Sequence, residues 1–68
     1  MVDWSRIVLD LRFNAKLSVR KIGNKVGLSC GQISRITNGS EPLHSNGERI
    51  IALWEKQMNK TRNDIPTI

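Results

Sequence analysis

Gln32 and Arg35 are the side chains of this chain best suited to meeting a base edge, and they stand three residues apart in a segment with no negative charge. An arginine can donate two parallel hydrogen bonds to guanine O6 and N7, and a glutamine amide can donate to and accept from adenine. With Cys30, Gly31 and Ser34 they would form the outward face of a helix whose inward side carries Ile33 and Ile36. Gly31 reads no base, but its size lets a helix approach a groove floor. Cys30 offers a soft contact to a thymine methyl, or is simply a small residue tolerated in a first helical turn. Gln32 also stands three residues after Ser29, the spacing of a capping box, so it has a structural role open to it as well as a reading one. Arg20, Lys21 and Lys25 lie on the preceding helix, where phosphates are the natural partners. Backbone N–H groups at helix starts near Ser18, Ser29 and Ser45 favour an anion too, and Asn38, Gly39 and Ser40 add polar groups from a loop.

Capping residues and apolar periodicity set out the helices that carry these side chains. Asp3 is suited to capping a first helix, over about 3–14, with Trp4, Ile7, Val8 and Leu11 at i, i+3, i+4 and i+7; Leu9 and Phe13 widen its apolar face. Ser18 starts a second helix to Val26, with Val19, Ile22, Gly23 and Val26 inward. Gly27 suits the left-handed exit from that helix, and Leu28 plugs the angle before Ser29 begins a third helix, about 29–38. Asn38-Gly39-Ser40-Glu41-Pro42 ends it. Ser45-Asn46-Gly47-Glu48 has the form of a second capping box ahead of a helix over about 45–60 that contains Ile50, Ile51, Leu53, Trp54 and Met58. Pro66 excludes regular helix near the end, so 61–68 reads as a flexible tail beyond a single domain, 1–60. The expected fold is all-α, a compact four- to five-helix domain.

Composition narrows the partner. The chain has 68 residues, 11 lysines and arginines against 6 acids, and a formal charge of +5. Six of those basic residues, Arg12, Lys16, Arg20, Lys21, Lys25 and Arg35, fall between Asp10 and Glu41, where no acid intervenes. An anionic partner follows from the charge, and its clustering favours nucleic acid. No run approaches a membrane span and the N-terminus lacks the pattern of a secretory signal, so a cytoplasmic, nucleoid-associated protein of a bacterial host is expected. Cys30 is the only cysteine, which excludes an internal disulfide and a thiolate zinc site and suits a reducing compartment. His44 has no carboxylate or thiol constellation in sequence, and the acids are scattered, with Asp3 and Glu48 explained as caps. Trp4 and Trp54 sit on apolar stripes. No catalytic residue, metal ligand, cofactor or small-molecule effector is therefore expected.

From Leu17 to Gly39 the chain resembles the helix-turn-helix of the lambda-repressor-like, or Cro/XRE-type, phage and bacterial regulators. The matching residues are Leu17, Ser18, Ile22, Val26, Gly27, Leu28, Ser29, Ile33, Ser34, Ile36, Asn38 and Gly39. The resemblance implies an operator-binding protein, a small phage or prophage repressor, acting as a dimer on a roughly palindromic double-stranded site. Three positions depart from the pattern: Val19 and Cys30 stand where glutamine is frequent, and Gly23 where alanine is frequent. Gly23 would permit equally close helix packing at a cost of up to ~1 kcal/mol in helix propensity.

The reading that follows is sequence-specific binding of duplex DNA and transcriptional repression, with the third helix in the major groove. A small core of this size makes stabilisation by a second copy or by DNA an expectation. The alternative from another class is a protein-interaction module, an antirepressor or adaptor on the same fold, with 61–68 as a docking arm. RNA is a weaker candidate, since A-form helices hide the major groove.

Overall fold

Asp3, Ser18 and Ser29 each start a helix by accepting the backbone N–H three residues on, from Arg6, Lys21 and Gln32 respectively. In the computed structural model, which describes all 68 residues, these caps open α1 (Trp4–Phe13), α2 (Val19–Val26) and α3 (Cys30–Thr37). A longer α4 (His44–Met58) and one 3-10 turn (Arg62–Asp64) follow. The fold is all-α, as expected, and the first three helices coincide with the expected ranges once their caps are counted.

α1 packs against α3 and α4, and α2 packs against the same two helices. The inward stripes of all four meet in one core: Ile7, Val8 and Leu11 from α1, Ile22 and Val26 from α2, Ile33 and Ile36 from α3, and Ile50, Ile51 and Trp54 from α4. Leu28, half-buried in the turn between α2 and α3, packs against this core, as does Val19. Phe13 does not widen the apolar face of α1. It is 66% exposed, because it lies two residues, about 200°, around the helix from Leu11. Its ring instead lies 5.3 Å from the Arg12 guanidinium.

Two glycines set close approaches. Gly27, at φ 75°, gives α2 its left-handed exit, and the N–H groups of Gly27 and Leu28 both donate to the Gly23 carbonyl. A Cβ on Gly23 would stand 2.4 Å from the Leu28 carbonyl oxygen. Glycine and alanine are thus not equivalent here, contrary to the expectation from helix packing alone. The obstacle is backbone of the turn itself, which cannot rotate aside.

The start of α4 differs from expectation. The helix begins at His44, with Leu43 rather than Ser45 in the cap position, two residues early, and no side-chain cap; the Leu43 carbonyl accepts the Gly47 N–H at 2.7 Å. Ser45 and Glu48 form no capping box. Glu48 instead accepts two hydrogen bonds from the Arg62 guanidinium, at 2.9 and 2.6 Å. A bidentate charged partner is a stronger match for a carboxylate than one backbone amide.

That ion pair belongs to a second difference. Residues 61–68, expected as a flexible tail, fold back on the N-terminus: Asp3 N–H donates to the Pro66 carbonyl and Ile68 N–H to the Met1 carbonyl, each at 2.9 Å. Val2 and Thr67 form an isolated antiparallel pairing, and Ile65 packs partly buried against the core. Proline removes a donor but keeps its carbonyl. Pro66 therefore stops a helix without preventing this pairing.

Candidate nucleic-acid interface

The turn between α2 and α3 divides the two helices into a buried side and a charged side. Ile22, Gly23, Val26, Ile33 and Ile36 are buried, while Ser18, Arg20, Lys21, Lys25, Cys30, Gly31, Gln32, Ser34, Arg35, Asn38 and Ser40 are all exposed. Every residue singled out for base or phosphate contact thus lies on the surface. Arg12, Lys16, Arg20, Lys21, Lys25 and Arg35 take part in no salt bridge; the ion pairs are Arg6 with Asp10 and Arg62 with Glu48, and the His44 imidazole lies 4.0 Å from Glu48. The cationic groups of α2 and α3 are therefore available to an external anion.

α3 brings Gln32 and Arg35 to one open cleft of about 290 Å³, which Ser40 also lines. Arg20, Lys21 and Lys25 lie outside it, along α2. The cleft adds Asn46 from the first turn of α4 and Glu41 from the loop, neither of which any sequence motif marks. Glu41 breaks the positive character of this corner, and only the path of the loop beyond Gly39, at φ 105°, brings it there. A second cation reaches the motif from α4: Arg49 Nη1 stands 3.3 Å from where a Cβ on Gly27 would be. No local pattern marks Arg49, which lies far along the chain from the turn it approaches.

Hydrogen bonding at the start of α3 separates the roles left open for Ser29 and Gln32. Ser29 N–H donates to Gln32 Oε1 at 2.9 Å, Ser29 Oγ lies 3.2 Å from the same oxygen, and Gln32 N–H donates back to Ser29 Oγ at 3.2 Å. The capping box is complete. Ser29 N–H and its hydroxyl are thus both engaged in capping α3. The unpaired first-turn amides are those of Cys30 and Gly31. At α2, Ser18 Oγ accepts from Lys21 N–H at 3.1 Å, and its hydroxyl hydrogen stays free to donate.

No local motif marks Asp10, whose principal partner lies 44 residues away. It is buried in α1, accepts Trp54 Nε1–H from α4 at 3.2 Å and Asn14 Nδ2–H at 3.2 Å, and pairs with Arg6 at 3.3 Å. Its role is to join α1 to α4 behind the charged face. Ser5 extends the join by donating to the Thr37 carbonyl at the end of α3, at 2.8 Å. No group of three or more His, Cys, Asp and Glu side chains is placed to hold a metal ion, and no helix is long and apolar enough to cross a membrane.

Compared with models of protein families, with curated proteins and with solved structures, the chain matches none.

Proposed function

We propose that this protein binds double-stranded DNA in a sequence-specific way and represses transcription at an operator, with α3 seated in the major groove and α2 across the phosphate backbone. One observation carries the reading: every ionised side chain on the paired helices α2 and α3 is positive, exposed and free of an acidic partner, opposite a buried apolar face. Arg35 is the principal base reader, and Arg20, Lys21 and Lys25 meet phosphates, assisted by the Ser18 hydroxyl and by Asn38 and Ser40. The Leu17–Gly39 resemblance to Cro/XRE-type regulators supports the same assignment. It also supports a homodimer on the DNA, since a two-fold operator takes two copies.

The test is fluorescence anisotropy with a random pool of duplexes, followed by selection and sequencing of the bound fraction. Each phosphate neutralised contributes a slope of about −0.9 to log K against log salt. Salt-dependent binding and an enriched, spaced pair of half-sites are expected. Binding that lacks salt dependence or selects no motif would overturn the reading.

A second reading, a protein-interaction module, draws on Leu43, which is 74% exposed beside the cleft. It requires a chain that leaves duplex DNA unbound while retaining a protein partner through purification. Substituting Leu43 by serine would then release that partner.

A further inference from the structure

Gln32 has lost the half of its amide that adenine recognition needs. Bidentate reading of adenine takes one donor, to N7, and one acceptor, from the N6 amino group. The Gln32 Oε1 faces two donors of Ser29, its N–H at 2.9 Å and its hydroxyl at 3.2 Å, one for each lone pair of the amide oxygen. Which atom of the amide faces Ser29 is settled by chemistry, because a backbone N–H can only donate. What remains outward is the Nε2 amino group, which only donates.

The other exposed side chains of α3 do not restore an acceptor of comparable strength. Arg35 donates only, Gly31 has no side chain, and Cys30 is weak in both directions. Ser34 has a hydroxyl that can donate or accept, and Thr37, half-buried, donates to the Ile33 carbonyl at 2.9 Å. The acceptors nearby, the Glu41 carboxylate and the Asn46 amide oxygen, lie off α3, on the loop and on α4 at the cleft. Guanine is the base whose major-groove edge offers two acceptors, and cytosine offers only a donor.

Resting on the DNA-binding reading above, we infer that α3 reads its half-site through donors alone, with Arg35 and the Gln32 Nε2 group both directed at guanine and Gln32 giving no preference for adenine. The cap on Ser29 is thus a specificity device as well as a structural one. It holds the Gln32 side chain in one orientation and removes its acceptor from the groove.

Two substitutions separate the cap from the reader. Gln32→Glu keeps an oxygen acceptor for Ser29 N–H, as glutamate does in capping boxes generally, but removes the outward donor. Gln32→Lys keeps a donor and removes the cap. Selection from random duplexes is run on the wild-type chain and both variants, with thermal unfolding followed in parallel. The wild type is expected to enrich guanine at the positions nearest α3. Gln32→Glu should unfold at a similar temperature yet lose about fivefold in preference at one guanine, the size of one ordinary hydrogen bond. Gln32→Lys should unfold at lower temperature while keeping that guanine. Enrichment of adenine by the wild type, lost in both variants, would overturn the inference and leave the DNA-binding reading standing. Absence of salt-dependent duplex binding by the wild-type chain would overturn both.

Discussion

Gly23 and Arg35 show how differently single residues act on the two sides of the same motif. At Gly23 a methyl group would stand 2.4 Å from the Leu28 carbonyl oxygen, so the turn has to open to admit it. Gly23→Ala is therefore expected to destabilise the fold by about 1–3 kcal/mol, the usual range for overpacking, despite alanine's better helix propensity. Urea unfolding checks this, and a variant as stable as the wild type would show that the turn relaxes freely. Arg35 is exposed and in no ion pair, so its removal should leave stability unchanged. Under the proposed function Arg35→Ala lowers operator preference by ~1–3 kcal/mol. Weak, salt-sensitive binding to unrelated duplexes remains. A gel-shift series in which specific and unrelated duplexes weaken equally would instead make Arg35 a phosphate contact.

At the level of elements, α1 and α4 hold the pair α2 and α3 from behind, and two contacts besides the aliphatic packing fix how they meet. Trp4 of α1 lies over Gly47 of α4 so closely that a Cβ there would be 2.9 Å from the ring. Asp10 of α1 accepts the Trp54 indole N–H of α4. Removing that acceptor leaves a buried donor without a partner, which costs about 1–3 kcal/mol. Asp10→Ala should accordingly lower the unfolding free energy by about that amount, and Asp10→Asn by less, since an amide oxygen still accepts from Trp54. Chemical unfolding of the two variants provides the comparison. Equal losses would mean that the Arg6 ion pair, rather than the indole bond, carries the effect.

At the scale of the whole molecule, both ends of the chain are held by one surface ion pair and a short stretch of backbone pairing. The hydrogen bonds from Arg62 hold the Glu48 carboxyl below the usual carboxylate range, against a smaller opposing effect of desolvation; the Arg62 and His44 charges add to the lowering. Arg62 is raised in turn by Glu48, and Glu55 adds to this. Because the folded carboxyl is depressed, its contribution is complete above the ordinary carboxylate pKa of about 4.3 and is lost as pH falls through the lower folded value. Amide exchange at Asp3 and Ile68, whose N–H groups make the terminal pairing, should therefore lose protection in acid. In Arg62→Ala that protection should already be low at neutral pH and change little on acidification. Protection in the variant equal to the wild type would mean that backbone pairing and Ile65 hold the segment without the ion pair.

The boundaries of α1, α2 and α3, their inward stripes and the exposed charged face were legible in the sequence because each depends on neighbours within one or two turns. Asp3, Ser18 and Ser29 find their partners three residues on, and the apolar spacing follows the helical repeat. Gln32 shows where that legibility stops. Its spacing from Ser29 permitted a cap and its exposure a base contact, and only the orientation of the amide shows that the oxygen serves the cap while the amino group stays outside it. Glu48 was likewise free to cap α4 until Arg62, fourteen residues on, was brought beside it. Asp10 meets Trp54 across 44 residues, and Arg49 reaches the turn at Gly27 from another helix. The first three helices and the charged face of α2 and α3 follow from the sequence, since they rest on local hydrogen bonds and periodicity. The distant partners of Asp10, Glu48 and Arg49 come from the fold, because a group with several chemically suitable partners bonds to the one that packing places within reach.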